Sequence, residues 1–245
     1  MLRLIISMLI FLIPTVFYIV RMSIIARGKK SREEKYAYSR KVVKFIAKKS
    51  RATVRVIGTE NIPDKNGFVM YANHQGKFDA LATIYACEKP LSVVIRKDKA
   101  WAGMVKTFIK LTDSRTIKLN DLKSVAETFR DIAKDVENGK NYLIFPEGGF
   151  ENNKNELQTF HTGCLGLLRT AKCPIVPVAL YDTYKVYNVN SLKKVSCTVS
   201  ILKPIGYDEY KGLTKPEIAE LIKIKIQEEL DRIKSEEICE QKKSV

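Results

Sequence analysis

The stretch from Phe68 to Asp79 reads FVMYANHQGKFD, and it holds one of only two histidines in the chain, His74; the other is His161. Its apolar run predicts a strand that ends at Asn73, and a helix begins just after Gly76. His74 therefore sits on a strand-to-helix corner, the place where ligand sites gather in open α/β sheets. Asp79 falls in the first turns of the helix, within reach of the imidazole. An imidazole is the natural base near neutral pH. A carboxylate on its Nδ1–H fixes the tautomer and leaves Nε2 to take a proton from an alcohol. A buried structural histidine is the plainer reading of a lone His; the strand-end position and the following acid set the catalytic reading beside it.

A second cluster is LIFPEGG, Leu143 to Gly149. Here again a buried strand runs into proline, an acid and two glycines. Glu147 can accept hydrogen bonds from substrate hydroxyls. Gly148 and Gly149 let main-chain N–H groups approach a ligand oxygen closely. Taken alone, the cluster is equally well a structural turn.

Together the two clusters resemble the 1-acylglycerol-3-phosphate (lysophosphatidic acid) acyltransferase family. Its NHxxxxD block is matched by Asn73, His74 and Asp79, and its FPEGTRS block by Phe145, Pro146, Glu147 and Gly148. Its FKxG stretch is matched by Phe160 and Gly163, with His161 in place of lysine. The PIVPV block follows as Pro174 to Val178, and the arginine block corresponds to Arg115 in LTDSRTIK. The resemblance spans about residues 50 to 205. It departs at Gly149, Phe150 and Glu151, where the family's threonine and arginine are lost.

The resemblance implies direct acyl transfer. His74 deprotonates an acceptor hydroxyl, which attacks an acyl thioester, and Asp79 orients the base. Asn73, Arg115, Glu147, Gly148 and Gly149 are implied on the substrate side, with main-chain N–H groups near Gly148 as a candidate oxyanion site. No metal and no cofactor beyond the thioester of acyl-CoA or acyl-carrier protein is implied. The implied acceptor is the sn-2 hydroxyl of lysophosphatidic acid, giving phosphatidic acid in phospholipid biosynthesis. Another lysophospholipid, glycerol-3-phosphate, or an inactive basic membrane-binding module are the alternatives. The chain has no GxSxG elbow, P-loop or GxGxxG.

These residues need a sheet to hold them. Strands are expected at Thr53–Ile57, Phe68–Ala72, Leu91–Arg96, Tyr142–Phe145, Ile175–Leu180 and Val195–Leu202, the last half-buried by its alternation. A helix follows from the spacing of Leu122, Val125, Phe129, Ile132 and Val136, with Asn120 or Asp121 as its cap and Gly139 after its end. Another is expected near Gly163–Ala171. Thr214-Lys215-Pro216-Glu217 is a capping box that opens a long final helix to about Ile238. Alternating strands and helices imply an α/β fold with a mixed, mainly parallel sheet.

The 245 residues, 45% of them hydrophobic, suffice for one sizeable core. The net charge of +16 suits anionic partners, lipid or donor, and no nucleic-acid motif accompanies it. Five scattered cysteines without a CxxC pair argue against disulfides and zinc. The run Leu4 to Val20 is apolar and followed by a dense basic flank. It reads as a membrane helix, spanning or monotopic, rather than a cleaved signal peptide. The positive-inside bias then places the catalytic part at the cell membrane, on the cytoplasmic side. Residues 1–26 are expected to form the anchor, 27–50 a basic amphipathic juxtamembrane segment, and 51–240 the catalytic domain. Tyr36 to Ile46 lies either on anionic headgroups or in solvent.

Overall fold

The computed structural model describes residues 12–100, 103–151 and 153–243. Seven strands form one sheet in the order β1-β7-β6-β2-β5-β3-β4. They are β1 (Ala52–Ile57), β2 (Val69–Ala72), β3 (Leu91–Arg96), β4 (Arg115–Ile117), β5 (Asn141–Ile144), β6 (Ile175–Tyr181) and β7 (Val195–Ile201). Neighbouring strands pair parallel except β6 with β7, so the sheet is mixed and mainly parallel. The helices are α1 (Leu12–Arg27), α2 (Arg32–Lys49), α3 (Asp79–Ala86), α4 (Gly103–Leu111), α5 (Leu122–Glu137), α6 (Leu167–Ala171), α7 (Tyr184–Tyr187), α8 (Tyr207–Tyr210) and α9 (Lys215–Lys243).

The sheet is covered on both sides, which explains the unbroken apolar runs of its central strands. Along β2, Val69 and Tyr71 face one core with Tyr142, Ile144 and residues of α5 and α9; Met70 and Ala72 face the other, with Leu143, Val178 and residues of α2 and α3. β7 is buried over its last five residues rather than half-buried, because both of its edges are paired and both of its faces covered. Asp121 caps α5, its carboxylate accepting Ser124 N–H at 3.0 Å, and Gly139 beyond the helix has φ +81°.

α2 begins with a capping box of Ser31 and Glu34. It packs onto the domain: Tyr36, Val43 and Ala47 join the core, and Tyr36 Oη donates to Cys87 O at 3.1 Å. Its apolar side is thus used internally, while Lys41, Lys44 and Lys48 stay exposed. The expected membrane helix from Leu4 to Val20 lies partly outside the described residues. What is described is α1, sixteen residues long, carrying Arg21 and Arg27. Among the described residues no helix is long and apolar enough to cross a membrane. α1 instead tucks Met22 against Val42 of α2 and Leu111 of α4, and leaves Val16, Phe17, Val20 and Ile24 exposed.

Candidate active site

The parallel strands β2, β5 and β6 end side by side, and the sequence clusters that follow them meet there. The main chain leaves β2 at Ala72 and turns through Asn73-His74-Gln75-Gly76 into α3, whose first residue is Asp79. Asp79 is fully buried, and its Oδ2 accepts three hydrogens: His74 Nδ1–H at 2.7 Å, Gln75 N–H at 2.5 Å and Gly76 N–H at 2.7 Å. The helix N-terminus adds a favourable field for the anion. With the carboxylate on Nδ1, the imidazole carries its proton there and presents Nε2 as a base. The His74 side chain is 18% exposed, so the site is not sealed from solvent. Phe145 stacks on the ring at a centroid distance of 4.2 Å, and Phe150 meets it edge-on at 4.7 Å.

Glu147 approaches from β5. Its Oε1 accepts His74 N–H at 3.2 Å and its Oε2 accepts the Gln158 amide at 2.5 Å. Burial raises its carboxyl to about 7, against the lowering effect of those two donors; the nearby Asp79 charge adds to the rise. Both oxygens therefore serve the frame of the site. Gly148 has φ +71°, and a Cβ there would press on the His161 ring at 3.1 Å, so only glycine is comfortable. Its own N–H closes a turn onto Phe145 O at 3.1 Å, which removes that N–H as an oxyanion donor.

The other candidates are placed differently from one another. Asn73 is buried, and its side chain bonds main-chain atoms of Leu180 in β6. Gly149 lies beside Arg96, whose Nη1 is 3.7 Å from where a Gly149 Cβ would sit. The structure does not bring Arg115 into this group. Its Nε donates to Asp135 at 2.8 Å and to Tyr142 Oη at 3.2 Å, and Asp131 lies 3.5 Å from Nη1. Those acids stand on α5, against which β4 packs, so the guanidinium is drawn to the helix.

Several residues of the site were not singled out from the sequence. Arg96 is the last residue of β3, and a base at the carboxyl end of a parallel strand is the signal that marks it. Its Nε and Nη2 hold Asp98 at 3.1 and 3.0 Å. Asn153 and Gln158, in the segment after Gly149, reach His74 O at 3.5 and 3.4 Å. No pattern announces them; they are polar residues of an irregular segment. Among the described residues no cluster of metal-ligating side chains occurs.

The acyltransferase family model matches residues 53–181, more than half of the chain. The chain is 24% identical over 184 residues to the 1-acyl-sn-glycerol-3-phosphate acyltransferase of Borreliella burgdorferi, covering 73% of this chain and 72% of that one. It is 25% identical over 143 residues to the enzymes of that name from Salmonella typhimurium and Escherichia coli, covering 58% of either chain. The matched part thus spans under two thirds of the enterobacterial relatives. Its fold is similar to the crystal structure of the 1-acyl-sn-glycerophosphate acyltransferase PlsC of Thermotoga maritima, with a TM-score of 0.76, 18% identity and coverage of 95% and 96%. With the family model laid over the strands and corners that carry His74, Asp79 and Glu147, the chain belongs to the acyltransferase family.

Proposed function

We propose that this protein transfers a fatty acyl group from a thioester to the sn-2 hydroxyl of lysophosphatidic acid, with His74 as base. The observation that carries the reading is the 2.7 Å bond from His74 Nδ1 to a buried Asp79 that already receives two main-chain N–H groups. Such a carboxylate is fixed in place and stabilises the imidazolium that forms as His74 Nε2 takes the hydroxyl proton. The alkoxide attacks the thioester carbonyl. The tetrahedral intermediate expels the thiolate, which recovers the proton from His74. Similarity to proteins named for 1-acylglycerol-3-phosphate supports the acceptor. The donor is acyl-CoA or acyl-carrier protein, both acidic, and the +16 charge of the chain suits either.

The same reading puts the protein at the cell membrane, facing the cytoplasm. The exposed apolar face of α1, with Arg21 and Arg27 on the same helix, supports contact with an anionic leaflet. The test is an assay of the full chain in phospholipid vesicles, with both donors and with lysophosphatidic acid, glycerol-3-phosphate and lysophosphatidylcholine as acceptors. Lysophosphatidic acid should react fastest, and His74→Ala should abolish transfer. Turnover of His74→Ala within tenfold of wild type would remove the mechanism; preference for an acceptor without phosphate would remove the acceptor.

A further inference from the structure

Gln75 follows the proposed base, yet its side chain faces away from the reaction and is almost wholly buried. Its Nε2 donates to Asn155 Oδ1 at 2.9 Å, and its Oε1 accepts Thr183 Oγ1–H at 2.9 Å. Asn155 is held in turn by the residue that follows β6: its Oδ1 accepts Asp182 N–H at 2.8 Å and its Nδ2 donates to Asp182 Oδ1 at 3.0 Å. Asp182 has φ +61° and is further tied by Lys185 Nζ at 2.5 Å. From the other side, Asn188 Nδ2 donates to Gln75 O at 3.2 Å, and the same amide lies so close to Gly76 that a Cβ there would meet it at 2.8 Å.

The consequence runs through the main chain. The N–H groups of Gln75 and Gly76 form the small nest that grips Asp79 Oδ2. Two consecutive N–H groups point at one oxygen only if the local φ and ψ are held. On the His74 side Glu147, Asn153 and Gln158 bond the main chain; beyond it, the Gln75 amide clamp and Asn188 hold the Gln75–Gly76 peptide. We infer that Gln75, clamped by Asn155 and Thr183, is a positioning residue: it fixes the nest that aims Asp79 at His74. This rests on the proposed His74–Asp79 chemistry and adds a residue to it.

If Gln75 acts through Asp79, its loss should matter only while Asp79 can do its work. Gln75→Ala should lower kcat roughly ten- to hundredfold, the scale of an ångström-level misplacement, with KM for both substrates nearly unchanged. In an Asp79→Asn background the same change should lower kcat less than twofold further. Asn155→Ala sits on a partly exposed loop and breaks the clamp from its far end; it provides the second variant should Gln75→Ala fold poorly. It should show the same dependence on Asp79, more weakly. Each kcat is taken per folded enzyme, with Tm measured alongside. Equal factors in the two backgrounds, or a lowered Tm with wild-type kcat, would overturn the role of Gln75. An active His74→Ala enzyme would instead overturn the proposed chemistry, so the two failures are distinct.

Discussion

The Asn73 side chain pairs with Leu180 as though it were one more residue of strand: Nδ2 donates to Leu180 O at 2.9 Å and Oδ1 accepts Leu180 N–H at 2.7 Å. The amide extends the β2–β6 ladder past Ala72, where its last paired residue sits, and sets where the chain turns toward His74. Asn73 thus has the position of the family's motif residue, with its buried amide engaged by Leu180 through both polar atoms. Asn73→Ala leaves a buried N–H unpaired, at about 1–3 kcal/mol. The expected result is a Tm lower by several degrees with KM little changed. A raised KM at unchanged Tm would return Asn73 to the substrate side.

Glu147 makes stability depend on pH. Its carboxyl titrates near 7 in the fold, against an ordinary value of 4.5, because burial disfavours the charge. A folded value above the unfolded one means the folded state binds more protons between them. The stabilisation is complete below pH 4.5 and is lost as pH rises to about 7. At about 1.4 kcal/mol per pH unit the change is on the order of 3 kcal/mol at most. Urea melts of wild type against Glu147→Gln from pH 4.5 to 8 should converge on the variant's flatter profile. Parallel profiles would show that Glu147 stays ionised.

Membrane contact is best tested without removing α1, since Met22 packs into the fold. Phe17→Asp with Val20→Asp changes only exposed apolar positions, 56% and 52% accessible. Pelleting with vesicles rich in anionic lipid should fall several-fold, and what remains should be sensitive to salt. Unchanged pelleting in both low and high salt would place the docking surface elsewhere.

Much of the architecture was legible because period and punctuation agree with it. β3 runs over Leu91–Arg96 as its apolar run predicts, and the Thr214 to Glu217 box opens α9. α4 and β4 were not legible. β4 has three residues and lies at the sheet edge, so its pattern is too short to read. At the site, types and spacing bring His74 and Asp79 to one corner. They cannot show which cation faces the glycine turn, because that depends on how β3 and β5 align. They cannot show Gln75 to be clamped either, since Asn155 is 80 residues away.

The acceptor's phosphate is the last question, and it sets Arg96 against Arg115. A dianion in a partly dry site needs a fixed cation with donors to spare. Arg115 is turned to α5 instead: its Nε donates to Asp135 and Tyr142, Asp131 lies near its Nη1, and the bonds to Asp135 and Tyr142 hold the guanidinium's pKa above its ordinary value. Phosphate there would share the guanidinium with two carboxylates that repel a dianion. Arg96 holds only Asp98 through Nε and Nη2, and its Nη1 borders Gly149, in the turn where the family's arginine is missing. Arg96→Gln is therefore expected to raise the KM for lysophosphatidic acid by about 1.5–3 kcal/mol in binding, or roughly ten- to hundredfold, and to leave Tm alone. Arg115→Gln should do the reverse, lowering Tm by a few degrees with KM within about twofold of wild type, because it removes an ion-pair cluster from the β4–α5 face. An acceptor without phosphate should be indifferent to Arg96→Gln. If Arg115→Gln alone raises the KM, the α5 ion pairs must open for substrate and Arg96 is only a surface partner of Asp98. If neither does, the phosphate is held by main-chain donors and Phe150 marks a weaker grip on it.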